Sequence, residues 1–482
     1  MVKNCAEAKV FLAVSLICGL LLVFLIPPLN AADEAVHFAN VYAISRGDFF
    51  PNNFENSYTG HYLPQTVYNY SVKYPGALHG NREEKYSYAE MINESLMPTV
   101  LGEKVSRTGG QVPTGYLAAA CGMAIGNVIG NEMFDPTVNA QPYNQMLYGR
   151  LGNLFFYILI TYLAICIIPR YKRILLLIAV MPMSLFLSAS LSYDPPVIAV
   201  SFFFIAIALY MMKTGDKTIT KSEIAAVLFS TFFLVGAKQA YAPLLLLLLG
   251  IPKTKYGSIK KMILCIVSVI LIAVIAYIPV WICSARESGI VTSDMVTKQE
   301  QWVSSHIGET IKAIIHTLRV KQVFYTESFW GRLGWLDTPF PIPIMILGYV
   351  ALFFVSVADV FEWNPAEYGK NWKRLLPLGS VLLSFIGMEL IMYLHHTPRP
   401  EVLNEIGSSY VEGVQGRYFI PLFVPFLLPF SNGLLVRFKK NKTEKTQACL
   451  SGLHRLMSSF AMGWAVMCGT YTVLIVLLRY WI

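Results

Sequence analysis

The sequence predicts an all-α polytopic membrane protein with large extracytoplasmic loops. Three observations carry that prediction. Of 482 residues, 55% are hydrophobic and only 14% are charged, against roughly 25% charged in ordinary soluble domains. Mean hydropathy is +0.52. Apolar stretches of the length a bilayer requires, roughly 20 residues, recur from one end of the chain to the other. This composition excludes a soluble globular enzyme, a disordered chain and a disulfide scaffold.

Eleven stretches read as spans: 10–28, 146–168, 174–191, 195–212, 223–237, 240–252, 262–283, 341–361, 375–394, 417–436 and 457–479. The first has Lys3 and Lys9 ahead of its apolar core, as a signal peptide would. Its long apolar run, with no small-x-small cleavage site after it, favours a permanent span. The fifth and sixth are short. Segment 113–130 is rich in Gly and Ala and reads as a buried or interfacial helix, not a span.

Charge placement sets the orientation. With the N-terminus inside, the cytoplasmic loops hold 21 of the 38 Lys and Arg against seven acids, a surplus of +14. The outer loops carry −4, and Glu389 within the ninth span carries −1. The net charge of +9 is therefore a topology signal, not a nucleic-acid footprint. The chain reads as one membrane-embedded unit, 1–482, with its C-terminus outside. Its three large outer loops are 29–145 (with interfacial helices), 284–340 and 395–416. Chemistry is expected on that outer face, because the inner loops are short and basic. No nucleotide-binding Gly-x4-Gly-Lys-Ser/Thr motif is present. The eight cysteines show no metal-binding spacing.

Five outer-face constellations could carry chemistry. Asp33 and Glu34 lie just beyond the first span, with His37 four residues after Asp33 on one helical face. Asp33 either caps a short helix, or the pair deprotonates a hydroxyl or holds a divalent ion. Asp194 sits in a Ser-Tyr-Asp-Pro-Pro turn between the third and fourth spans. It either shapes that turn or faces the same site. Lys238 lies between two short spans, and its ammonium either snorkels or binds an anion. Arg332 and Asp337 sit in a Trp-Gly-Arg-Leu-Gly-Trp-Leu-Asp run that anchors the chain at the interface, or aims both side chains into a site. Arg417 and Tyr418 open the tenth span, where a guanidinium suits phosphate or carboxylate. Snorkelling to lipid phosphates is the alternative. Glu389, inside the ninth span, is an intramembrane acid with either a functional or a helix-pairing role.

Several of these blocks resemble one bacterial family of membrane proteins. The run Pro27-Pro28 to Asp33-Glu34, His37-Phe38 and on to Gly47 resembles the opening of domain-of-unknown-function family 2142. Tyr148-Gly149-Arg150-Leu151-Gly152-Asn153, Ser192-Tyr193-Asp194, Gly334-Trp335-Leu336-Asp337 and Gln415-Gly416-Arg417-Tyr418 resemble its later blocks. Ala32 departs from the proline found in many members. In layout the family is similar to the glycosyltransferase C superfamily of multi-span enzymes, many of which take sugars from polyprenyl-phosphate carriers. The resemblance implies a bacterial plasma-membrane glycosyltransferase. Asp33 would be its base, with Glu34 beside it. His37, Asp194, Lys238, Arg332, Asp337, Arg417 and Tyr418 would bind substrate. Its partners would be a polyprenyl-phosphate-linked sugar, a glycan or glycolipid acceptor and membrane lipid, with no nucleic acid. A divalent cation, Mg or Mn, held by Asp33 and Glu34 stays open. The rival readings are a flippase for lipid-linked glycans and a non-catalytic subunit of envelope-polysaccharide assembly.

Overall fold

The computed structural model describes residues 5–54, 58–73, 78, 81–107, 112–133, 141–213, 217–287, 292–362, 375–399, 402–430 and 444–482. The segments 363–374 and 431–443, read as basic inner loops, lie outside the described residues. Every stretch read as a span is mostly helical where described, but among the described residues seven helices are long and apolar enough to cross a bilayer. They are α1 (Ala6–Leu25) and six others within Pro142–Ile167, Asp194–Met212, Ile259–Arg286, Ile342–Val360, Leu375–His395 and Ser451–Tyr480.

The other four predicted spans are shorter or broken, and proline explains three of them. Stretch 174–191 is two helices, Lys172–Ala179 and Pro182–Ser188, separated where Pro182 can donate no amide hydrogen. Stretch 240–252 is a 3-10 helix, Gln239–Gly250, with Pro243 inside it. A 3-10 coil rises about 2.0 Å per residue, so these 12 residues still cover about 24 Å. The segment beginning at Gly416 runs as short 3-10 and α pieces interrupted by Pro421 and Pro425. The fifth, Lys221–Ala237, is regular but only 17 residues long, and Thr220 and Glu223 close a capping box at its start.

Three elements beyond the ends of the long helices position the site. Helix α2 (Glu34–Ser45) follows the first span directly, and helix α3 (Gln65–Lys73) and the antiparallel sheet of Asn52–Phe54, Tyr58–Pro64 and Glu103–Arg107 pack beyond it. Segment 113–130 forms a 3-10 turn, Pro113–Tyr116, and a helix, Leu117–Met133, antiparallel to the first turns of Pro142–Ile167. The two helices approach closely because both carry glycine at the crossing. A Cβ at Gly122 would stand 2.5 Å from the Gly152 Cα. This helix is not fully buried, since Ile125 and Val128 face outward.

The first and last spans run the same way, as an odd number of crossings requires. The Trp481 indole donates to the Leu25 carbonyl at 2.8 Å, and the Tyr86 amide to the Tyr480 carbonyl at 2.7 Å. The apolar core centres on Lys172–Ala179, Pro182–Ser188 and Asp194–Met212, almost every residue of which is buried.

Candidate functional site

The two neighbouring carboxylates have opposite surroundings. Glu34 is fully buried, and so is Arg150 from the second span. Arg150 Nε and Nη2 reach the two Glu34 oxygens at 2.9 and 2.7 Å. Its remaining donors cap the open end of α1, on the carbonyls of Val23, Ile26 and Pro27 at 3.1, 2.6 and 3.0 Å. Glu34 also accepts from the amides of Leu191 (2.8 Å) and Ala31 (3.3 Å). Both oxygens are thus engaged in joining α1, α2, the second span and the 189–193 turn. Breaking either side of this pair would strand a buried charge.

Asp33 stands differently. It occupies the N-cap position of α2 with φ +59°, in the left-handed region, yet its side chain makes no capping hydrogen bond. The carboxylate is exposed. The capping role that its residue type suggests is absent, and the turn presents the acid outward.

His37 lies beneath it, one turn into α2. Its Nδ1 is 2.7 Å from the Tyr116 hydroxyl, and the Tyr193 ring meets it edge-on at 5.4 Å. Burial holds the imidazole below its ordinary value, although Asp33 and Asp194 pull the other way. Burial also pushes the Tyr116 hydroxyl well up, reinforced by the Asp194 and Asp33 charges.

On the far side of His37, Asp194 sits between two cations. Lys238 Nζ is 3.2 Å from Oδ1 and Arg417 Nε is 3.1 Å from Oδ2. The Arg417 contact is an ion pair without hydrogen-bond alignment, so Nε keeps donor capacity. Lys238 lies 3.3 Å from the centre of the Tyr418 ring and within 6 Å of the Tyr193 and Tyr241 rings. The tyrosine faces stabilise an ammonium that has lost its water. Two cations and one acid leave a buried positive charge, and Asp33 is the exposed negative charge near it.

The structure therefore brings Asp33, Glu34, His37, Asp194, Lys238, Arg417 and Tyr418 together around one point. It places Arg332 and Asp337 elsewhere. Residues 332–333 and 338–339 form a tight hairpin. From it Arg332 turns back to Glu327 (2.8 Å) and the Leu336 carbonyl, while Asp337 pairs with Arg479 of the last span at 3.2 Å. The hairpin still touches the site's margin, because the Trp335 indole donates to the Leu29 carbonyl at 2.9 Å. Glu389 is buried against the Tyr325 hydroxyl (3.1 Å) with its second oxygen unpartnered.

Among the described residues no three His, Cys, Asp or Glu side chains converge as a metal site. With Glu34 bound to Arg150, a cation at the acid pair would rest on Asp33. Sequence reasoning gave no role to Arg150, Tyr116 or Tyr241. For Arg150 the signal was there, as a guanidinium within a predicted span demands a buried partner.

An open apolar groove of about 730 Å³ runs between Leu117–Met133 and Pro142–Ile167. Gly122, Gly126, Tyr148, Gly152 and Phe155 line it, and Phe233 contributes from a neighbouring helix. Leu117, which also lines it, is the residue after Tyr116 of the site.

Fold and site together define a polytopic α-helical membrane protein with a charged, aromatic-lined centre at one end of its helices. The chain belongs to a family described as predicted membrane protein (DUF2142), which matches residues 16–426. No curated protein and no solved structure matches it.

Proposed function

We propose that this protein is a glycosyltransferase that moves a sugar from a polyprenyl-phosphate carrier to a cell-surface glycan or lipid-linked acceptor, with inversion. The observation that carries this reading is the pairing of an unengaged, exposed carboxylate with a buried cation pair. The charges of Asp33, Asp194, Arg417 and Glu34 all act on the one imidazole of His37.

Asp33 takes the proton of the acceptor hydroxyl as its oxygen attacks the anomeric carbon. The bond from that carbon to the phosphate oxygen breaks. Arg417 and Lys238 stabilise the departing phosphate anion. Asp194 holds the two cations close to each other and to His37, which orients the incoming sugar. One base suffices for a single inverting displacement. The groove that Leu117 helps line suits the carrier's tail, being apolar and open.

A flippase would need a polar path through the helices. The helix below the site, Asp194–Met212, is buried at every position but Tyr210, and within its run from Val197 to Leu209 the one polar side chain, Ser201, bonds its own helix at the Val197 carbonyl. That favours chemistry at one face over passage.

Purified protein in lipid nanodiscs, offered a panel of polyprenyl-phosphate sugars, tests the proposal. Sugar transfer that Asp33→Asn abolishes is expected. Full transfer by Asp33→Asn, or transfer from no polyprenyl-phosphate donor, overturns it.

A further inference from the structure

The helix Ile307–Val320, in the segment read as the second outer loop, has a side that none of the described residues covers. Ile307, Ile311, Ile315 and Leu318 are 64, 53, 47 and 37% exposed. Their spacing of four, four and three residues puts them on one stripe. The opposite side is fixed. Thr310, Ala313 and Thr317 are buried, the Thr317 hydroxyl accepts from the Val411 amide at 2.8 Å, and His316 reaches the Ser409 carbonyl at 3.1 Å. The apolar stripe is thus a consequence of how the helix is docked, not of a loose segment.

We infer that this helix lies in the outer headgroup layer of the bilayer and that its stripe binds anionic phospholipid. Two further features select lipid over a protein partner. Lys312 and Arg319 flank the stripe on one side, both exposed, where their stems can follow the apolar surface while the charges reach lipid phosphates. Glu309, the helix's acid, lies roughly 160° from the stripe's centre at 100° per residue. The helix is also continuous with lipid-facing surface: it leads through Gln322–Trp330 and the hairpin into the span beginning at Ile342.

The position gives the contact a consequence. Lys321, at the end of the helix, is ion-paired to Glu412, five residues before Arg417. Gly416, next to Arg417, docks its amide on Ser328 at 2.8 Å. The lipid-bound helix therefore anchors the segment that carries the site's arginine. The inference does not depend on the proposed activity.

Photocrosslinking of the full-length protein tests it. Benzoylphenylalanine is placed singly at Ile311, Ile315, Glu309 and His316, and the protein is reconstituted in vesicles of phosphatidylcholine and phosphatidylglycerol in equal amounts. Irradiation is expected to add one phospholipid mass at 311 and 315, at least tenfold more often than at 309 and 316. Phosphatidylglycerol should be over-represented among the adducts, and Lys312→Gln with Arg319→Gln should return it to the vesicle ratio. Equal lipid capture at all four positions overturns the inference. So do crosslinks from 311 and 315 to polypeptide instead of lipid, which would mark a protein interface. A variant that does not insert is replaced by its neighbour on the same stripe, Ile307 or Leu318.

Discussion

Asp33 and Glu34 are adjacent acids of like chemistry, and the structure predicts opposite consequences for their amides. Glu34→Gln removes the counter-charge of a fully buried guanidinium. Arg150 keeps its three carbonyl partners, which hold dipoles but no charge. Breaking one side of a buried ion pair costs about 3–5 kcal/mol. The loss falls where α1, α2 and the second span meet, so Glu34→Gln should lower the thermal midpoint in detergent and reduce the yield of folded protein. Arg150→Met alone should be as damaging, whereas Glu34→Gln combined with Arg150→Met should recover much of the loss, because no charge is left stranded.

Asp33→Asn should do none of this. The side chain is exposed and makes no capping bond, and Asn tolerates the left-handed backbone at least as well as Asp. Its stability should stay within about 0.5 kcal/mol of the parent. If Asp33 is the base, transfer should instead fall by about 10²–10⁴-fold. Thermal melts of both variants, beside a transfer assay on folded protein, read the two outcomes separately. A stable Glu34→Gln, or an unfolded Asp33→Asn, would refute the division of roles.

Three further outcomes follow from the same geometry. Asp194→Asn leaves Lys238 and Arg417 without their shared counter-charge and should cost about 3–5 kcal/mol, measurable by thermal unfolding; adding Lys238→Gln should restore part of it. His37 titrates below its unfolded value of 6.5, so its contribution is present above that pH and is lost as pH falls through the folded value. The groups facing it are Tyr116, Tyr193, Asp33, Glu34, Asp194 and Arg417, and His37→Gln should flatten the acid side of a melting-temperature profile. A Cβ at Gly152 would stand 2.5 Å from the Ala118 carbonyl oxygen and 2.8 Å from the Gly122 Cα. Neither is a side chain that can turn away, so Gly152→Ala should cost about 1–3 kcal/mol. It should also raise KM for a long-tailed donor more than for a short-tailed one, and equal shifts would detach the groove from substrate binding.

What the sequence made legible depends on whether the informative property is local. Span positions follow from composition over roughly twenty residues, and every apolar stretch is mostly helical where described. The breaks were harder to read. Pro182 and Pro243 lie within runs so apolar that composition outweighs them, although each removes an amide donor and divides or tightens its helix. The site's membership was also local, because polar groups at span ends are few and most of them converge. Their pairings were not. Nothing local to Glu34 indicates that Arg150, 116 residues on, takes both its oxygens. Likewise Asp337 faces Arg479 of the last span, not the cation cluster. A charge buried in a span must find a partner, so Arg150 could have been flagged as paired from sequence. Which acid it took was decided by α1 ending within reach of residue 150, with three carbonyls there needing donors. That requirement ties Glu34 into the fold and leaves Asp33 as the exposed acid of the two.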